Sequence, residues 1–143
     1  MKIHFLLLLL FALSALPAID LPGNVSIVIP ANPALQETKA AAIFQKYIRE
    51  ITGVTLAIHS EKESGEGAGA VYIGKTAALP EELGRQLQFE RKMLIGDSGS
   101  DSYVMGERGN SLFLCGYRPE ATLFAVYDFL ERHAGVRWFR PGP

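Results

Sequence analysis

The stretch from Gly69 to Thr76, GAVYIGKT, has the residue types and spacing that could bind a phosphate group. It fits the pattern G-x-x-x-x-G-K-T, in which backbone N–H groups of a glycine-rich turn surround the phosphates of a nucleotide and the lysine contacts them. That chemistry requires a strand before the first glycine and a helix that begins at the lysine and threonine.

The neighbouring sequence predicts neither element in the required place. A polar, charged loop, SEKESGEGAG, precedes the pattern, and its four variable positions, AVYI, are themselves typical of a strand. Pro80 follows four residues after Thr76, where the helix should already be running, and an interior proline costs a helix about 3 kcal/mol. We therefore interpret Gly74-Lys75-Thr76 as the end of a strand that enters a loop, and we expect no nucleotide to bind.

Other common types of site have no signature in the chain. The histidines, His4, His59 and His133, are far apart and form no H-E-x-x-H motif, so we expect no metal site and no cofactor. Cys115 is the only cysteine, which excludes an internal disulfide, and its apolar surroundings predict a buried side chain. A net charge of −1 gives no basic surface for nucleic acid. No catalytic residue is predicted.

The N-terminus predicts export. A weakly basic start leads into an apolar run from Phe5 to Leu16, followed by Pro17 and Ala18, which is typical of a secretory signal peptide over residues 1–18. Ala18 and the segment Ala12-Leu13-Ser14 are alternative cleavage sites. A membrane anchor is the other interpretation, but the run is shorter than the ~20 apolar residues that a spanning helix needs. We expect a secreted or periplasmic protein without a membrane span after cleavage.

The remaining sequence predicts one domain of α/β (α+β) class, a mixed sheet with two long helices packed on it. The predicted strands are Asn24–Pro30, Val54–His59, Ala70–Gly74, Tyr103–Arg108, Ser111–Gly116 and Val136–Phe139. Long helices are predicted from Pro33 in the first turn to Gly53 and from Pro119 to Gly135, and a short one within Ala77–Gln88. Gly109-Asn110 suits a tight turn, so the strands around it form an antiparallel pair, which argues against a purely parallel sheet.

Apolar residues at helical spacing predict the buried faces of the two long helices. In the first helix they are Ala40, Ile43, Phe44, Tyr47, Ile48 and Ile51. In the last helix they are Leu123, Val126, Tyr127, Leu130 and Ala134, with Phe124 and Phe129 beside them. We expect Phe124, Tyr127 and Leu130 to be core residues.

The second half, GYRPEATLFAVYDFLERHAGVRWFRPG, resembles the closing helix and strand of the N-terminal domain of family-67 α-glucuronidases. It is also similar to the domain that precedes the barrel in family-20 β-hexosaminidases and in exported bacterial glycosidase-like proteins. IVIPANPALQETKAAAIFQKYIREITGVTL and VYIGKT resemble the opening strand and helix and the next strand of that domain.

The resemblance implies an accessory domain over residues 22–143, with helices on one side of a mixed sheet and a zincin-like topology without the metal site. In that family a (β/α)₈ barrel follows and carries the catalytic carboxylates, so the chain by itself is expected not to be catalytic. The expected partner is such a barrel from a polysaccharide-degrading hydrolase. The alternative is a free-standing exported module that binds carbohydrate or protein.

Arg137, Trp138 and Arg140 are the candidate residues of a domain interface. Trp138 is the only tryptophan, it lies three residues before Pro141, and the two arginines flank it. Arginine and aromatic residues are common at interface centres. We expect Trp138 to be partly buried, with one face left for a partner. Full burial as a core residue and a stacking platform for a sugar ring are the alternatives.

The rejected phosphate site gives a first prediction. ATP with magnesium should leave the melting temperature of the protein and of Lys75→Ala unchanged in thermal unfolding. A ligand at 100 times its dissociation constant stabilises a protein by about 2.7 kcal/mol, so binding would be visible. An ATP-dependent rise that Lys75→Ala abolishes would contradict the prediction.

Overall fold

The computed structural model describes residues 24–63, 69–93 and 101–138. The strands are β1 (Ser26–Ile29), β2 (Ile58–Ser60), β3 (Ala70–Ile73), β4 (Tyr103–Arg108) and β5 (Ser111–Gly116). The helices are α1 (Leu35–Thr52), α2 (Glu81–Met93) and α3 (Pro119–His133). The predicted signal peptide lies outside the described residues. No helix in the described ranges is long and apolar enough to cross a membrane.

The five described strands form one mixed sheet in the order β2-β1-β3-β5-β4. The pairs β1–β2, β1–β3 and β3–β5 are parallel, and β4–β5 is antiparallel. Gly109, with a φ of 58°, makes the tight turn of this hairpin. The predicted α/β class, with a mixed sheet and two long helices packed on it, is confirmed.

The main core lies between one face of the sheet and the helices α1 and α3. Because side chains alternate along a strand, this face receives Ile27 and Ile29 from β1 and Leu114 from β5. Phe44 and Ile48 of α1 pack against the same cluster. The central residues of the predicted apolar stripe of α1 are therefore in the core, whereas Ile51 at the end of the stripe is 45% exposed.

Small side chains are buried on both long helices, where α1 and α3 pack together. Ala40 and Ala41 of α1 and Ala121 and Ala125 of α3 are all fully buried. Small side chains let a helix approach the elements around it closely. Phe124 of α3 is 45% exposed, so its predicted place in the core is wrong.

Helix α2 lies on the opposite face of the sheet, whereas the resemblance implies helices on one side only. Its Leu87 packs with Val104 of β4 and Cys115 of β5 in a second, smaller cluster. Val104 and Cys115 point away from the main core because their neighbours Met105 and Leu114 pack against it. The sheet is thus covered on both faces at its β4–β5 end.

Several predicted boundaries differ from the structure, and α2 for example runs to Met93, past the predicted limit at Gln88. The second strand is Ile58–Ser60 rather than Val54–His59, because only those residues pair with β1, and Val54 is 51% exposed. Residues 136–138 of the predicted strand Val136–Phe139 are not a strand, and Phe139 lies outside the described residues. Pro33 precedes α1 instead of forming its first turn, since Ala34 is the N-cap.

The packing of α3 gives a second prediction. Leu130→Ala should lower the free energy of unfolding by about 2–5 kcal/mol because Leu130 is fully buried. Phe124→Ala removes a larger side chain from the same helix, but its exposure should limit the loss to about 1 kcal/mol. Urea unfolding of both variants measures the difference, and a larger loss for Phe124→Ala would contradict the packing described here.

Candidate functional site

The carboxyl edge of the parallel strands is the place where an open α/β sheet usually binds ligands. β1 and β3 are neighbours, yet β1 leads through α1 to β2 on one side and β3 leads through α2 to β4 on the other. Connections that leave neighbouring strands in opposite directions open a crevice between them. Two loops, residues 30–34 and 74–80, border this crevice.

The side chain of Glu37 bridges these two loops. Its Oε2 accepts a hydrogen bond from the backbone N–H of Ala34 at 2.9 Å, and its Oε1 accepts one from that of Lys75 at 3.2 Å. Glu37 is only 6% exposed and lies in the first turn of α1, where the helix dipole favours a negative charge. A buried carboxylate is therefore held where an anionic ligand would be expected to bind.

Gly74 lets this carboxylate approach the backbone. Its φ of 99° lies in the region that side chains disfavour. A Cβ atom at this position would stand 2.5 Å from Oε1 of Glu37 and 3.1 Å from Pro30. Glycine is needed here for the same reason as in a phosphate-binding turn, which is close approach of an oxyanion.

Glu61 bridges the same two loops at a second point. Its Oε1 accepts a hydrogen bond from the N–H of Ala31 at 2.9 Å, and its Oε2 accepts one from that of Ala77 at 2.7 Å. Glu61 is half-buried although it belongs to the segment predicted to be a solvated loop. We call the carboxylates of Glu37 and Glu61, with the four N–H groups that they accept from, the carboxylate clasp.

The interpretation of the G-K-T motif as a strand end is confirmed. β3 occupies the variable positions of the pattern, and the next helix begins at Glu81 rather than at the lysine. The Nζ atom of Lys75 lies 5.3 Å from the ring centroid of Tyr117, a distance typical of a cation–π contact.

Cys115 is buried, as its sequence context predicts. Burial raises the pKa of its thiol to about 11; the positive charge of Lys75 opposes this shift and the negative charge of Glu37 adds to it. The thiolate is the reactive form of cysteine. The thiol is consequently protonated near neutral pH, and its surroundings do not favour a nucleophile.

Three aromatic rings meet where the C-terminal end of α3 passes α1. The ring of Trp138 contacts Tyr47 and Tyr127 edge-on, with centroids 5.1 Å and 4.9 Å away. We call these three residues the aromatic cluster. Trp138 therefore packs against two rings and is still 39% exposed, and its role at a domain interface stays a prediction.

Two of the three predicted interface residues, Arg137 and Trp138, fall in the described part of the chain. Arg137 turns back to α3, where its Nη1 donates to the carbonyl oxygen of Glu131 at 3.1 Å. It lies at the helix C-terminus, where a positive charge is favourable. Arg140 lies outside the described residues.

Within residues 24–63, 69–93 and 101–138, no three His, Cys, Asp or Glu side chains are placed to hold a metal ion. The residues that sequence reasoning missed are Glu37 and Glu61. A glutamate three residues after a helix N-cap is half of a capping box, but alanine at position 34 lacks the polar side chain that marks this motif. No sequence motif around Glu61 predicts that its side chain bridges the two loops.

Comparison with known proteins assigns no family. No protein-family model matches the chain, and no curated protein is a significant match to it.

The carboxylate clasp gives a third prediction. Gly74→Ala should lower the free energy of unfolding by about 1–3 kcal/mol because of its φ and the contact with Glu37. Gly84→Ala is the matched control: a Cβ there meets no atom within 4 Å, inside α2. Alanine should stabilise that helix by up to about 1 kcal/mol. Equal effects in denaturant unfolding would contradict the assigned role of Gly74.

Proposed function

We propose that the chain is a non-catalytic accessory domain of an exported polysaccharide-degrading glycoside hydrolase of α-glucuronidase type. It would dock through the aromatic cluster onto a (β/α)₈ barrel that carries the catalytic residues. The observation that carries the proposal is Trp138, which two tyrosines hold in place while 39% of its surface remains exposed. Large aromatic residues in fixed positions are the usual anchors of protein interfaces.

Other exposed apolar side chains extend this surface. Phe124 lies one turn before Tyr127 on α3, and Ile51 lies one turn after Tyr47 on α1, and both are 45% exposed. Contiguous exposed apolar surface commonly marks an interaction site. At the carboxyl edge of the sheet, the N–H groups of Ala34 and Lys75 already donate to Glu37, which supports a structural role for that carboxylate.

A free-standing carbohydrate-binding module is the second candidate. Asp128, Glu131, Arg132 and Arg137 line an open hollow of about 470 Å³, and Arg137 is the neighbour of Trp138 in the chain. An aromatic ring beside a few polar groups is a common arrangement in small-molecule sites. Asp128 already bonds Tyr103 and Arg132, which leaves this hollow fewer groups for a sugar.

Tryptophan fluorescence tests the proposal, since Trp138 is the only tryptophan. In the chain alone, acrylamide should quench the emission to an intermediate extent. In a longer natural product that includes the reading frame after Pro143, quenching should fall. Unchanged quenching there would contradict docking, and protection by oligosaccharide alone would favour the carbohydrate-binding module.

Activity assays test the non-catalytic role separately. The purified chain should not hydrolyse aryl glucuronides or aryl N-acetylhexosaminides above a buffer blank. Turnover that a point substitution in this chain abolishes would overturn the proposal. A stop codon directly after Pro143 would favour the free-standing module.

A further inference from the structure

The hydrogen bonds to the Glu37 carboxylate indicate a binding property that is separate from the proposed accessory role. Two N–H groups from different loops, those of Ala34 and Lys75, converge on one carboxylate. The first-turn position in α1 adds the favourable field of a helix N-terminus. These are the features of an anion-binding site, and here the anion is a side chain of the same molecule.

Two observations besides the helix N-terminus support this interpretation. The carboxylate in the site is itself buried, with Glu37 6% exposed, and Gly74 has the positive φ and the absent Cβ that its approach requires. The hydroxyl of Thr76, next to Lys75 in the chain, is buried and has no hydrogen-bond partner among the described residues. Buried polar groups normally have a partner, so this hydroxyl is an unused donor and acceptor in the residue that follows Lys75.

We propose that the N-terminus of α1 and the turn at Gly74–Thr76 form an oxyanion site that the chain closes with its own Glu37. When that side chain is removed, the site binds a small carboxylate ion such as acetate or formate. Glu37→Ala removes one methylene and one carboxylate group, which together match the heavy atoms of acetate. The vacated space thus has the size and the hydrogen-bond donors for that ion.

The same geometry selects against larger anions. A Cβ at Gly74 would lie 2.9 Å from the carboxyl carbon of Glu37 and 3.1 Å from Pro30, so the carboxylate is closely enclosed on this side. A planar carboxylate fits such a space, whereas tetrahedral phosphate is wider. The site in the variant should therefore prefer acetate and formate to inorganic phosphate.

Thermal unfolding of the full chain and its variants tests this proposal in acetate, formate, phosphate and chloride at equal ionic strength and neutral pH. Glu37→Ala should melt below the parent in chloride, and acetate should raise its melting temperature saturably by about 4 °C or more. The parent and Glu37→Gln should not respond, because a side chain still fills the site. Glu50→Ala, an exposed substitution on the same helix, is the matched control and should also not respond.

Amide NMR locates the effect. In Glu37→Ala, the backbone N–H signals of Ala34 and Lys75 should shift on titration with acetate and return towards their positions in the parent. If Glu37→Ala does not fold in chloride, acetate should restore folded protein on refolding. No difference between acetate and chloride in either measurement, or an equal response in Glu50→Ala, would overturn the proposal.

Discussion

The carboxylate clasp is the interaction on which the arrangement of this domain depends. Glu37 and Glu61 each accept one N–H from the loop after β1 and one from the loop after β3. Hydrogen bonds to a charged group contribute about 1.5–3 kcal/mol, less for the exposed bond from Ala77, and together these four join the loop after β1 to the loop after β3. Through Glu37 the clasp joins the start of α1 to the loop after β3, at the edge of the sheet where open α/β sheets usually bind ligands.

Local patterns predict the elements of this fold well because their causes are local. The hairpin strands are found residue for residue, since Gly109-Asn110 fixes the turn and with it the register. The buried face of α3 is predicted less well. Apolar size points to Phe124, which is 45% exposed, whereas the small Ala121 and Ala125 are fully buried. Periodicity indicates the buried side of a helix, whereas the neighbouring helix decides which residues are central.

The candidate site shows the same difference between features that have local causes and features that depend on contacts between distant residues. The expected partial burial of Trp138 rests on its residue type and its place three residues before Pro141, and the structure has it at 39% exposure. The carboxylate clasp joins residues up to 38 positions apart, and nothing in the intervening sequence marks the pairs. Its one local sign, glutamate at the third position of α1, is obscured because the N-cap is alanine. Charged residues that look like solvated surface can thus be buried hydrogen-bond acceptors.

The two edges of the described sheet bear on how copies of this domain behave at high concentration. An exposed edge strand offers unpaired N–H and C=O groups on which strands of another molecule can assemble. β2 has only three residues, and β4 ends in Gly106-Glu107-Arg108, a glycine followed by two exposed side chains of opposite charge. Short edges and edge charges both disfavour such intermolecular pairing. The edges of the sheet therefore disfavour aggregation through added strands, and exposed apolar side chains such as Phe89, Phe124 and Trp138 are left as the surface where copies could associate.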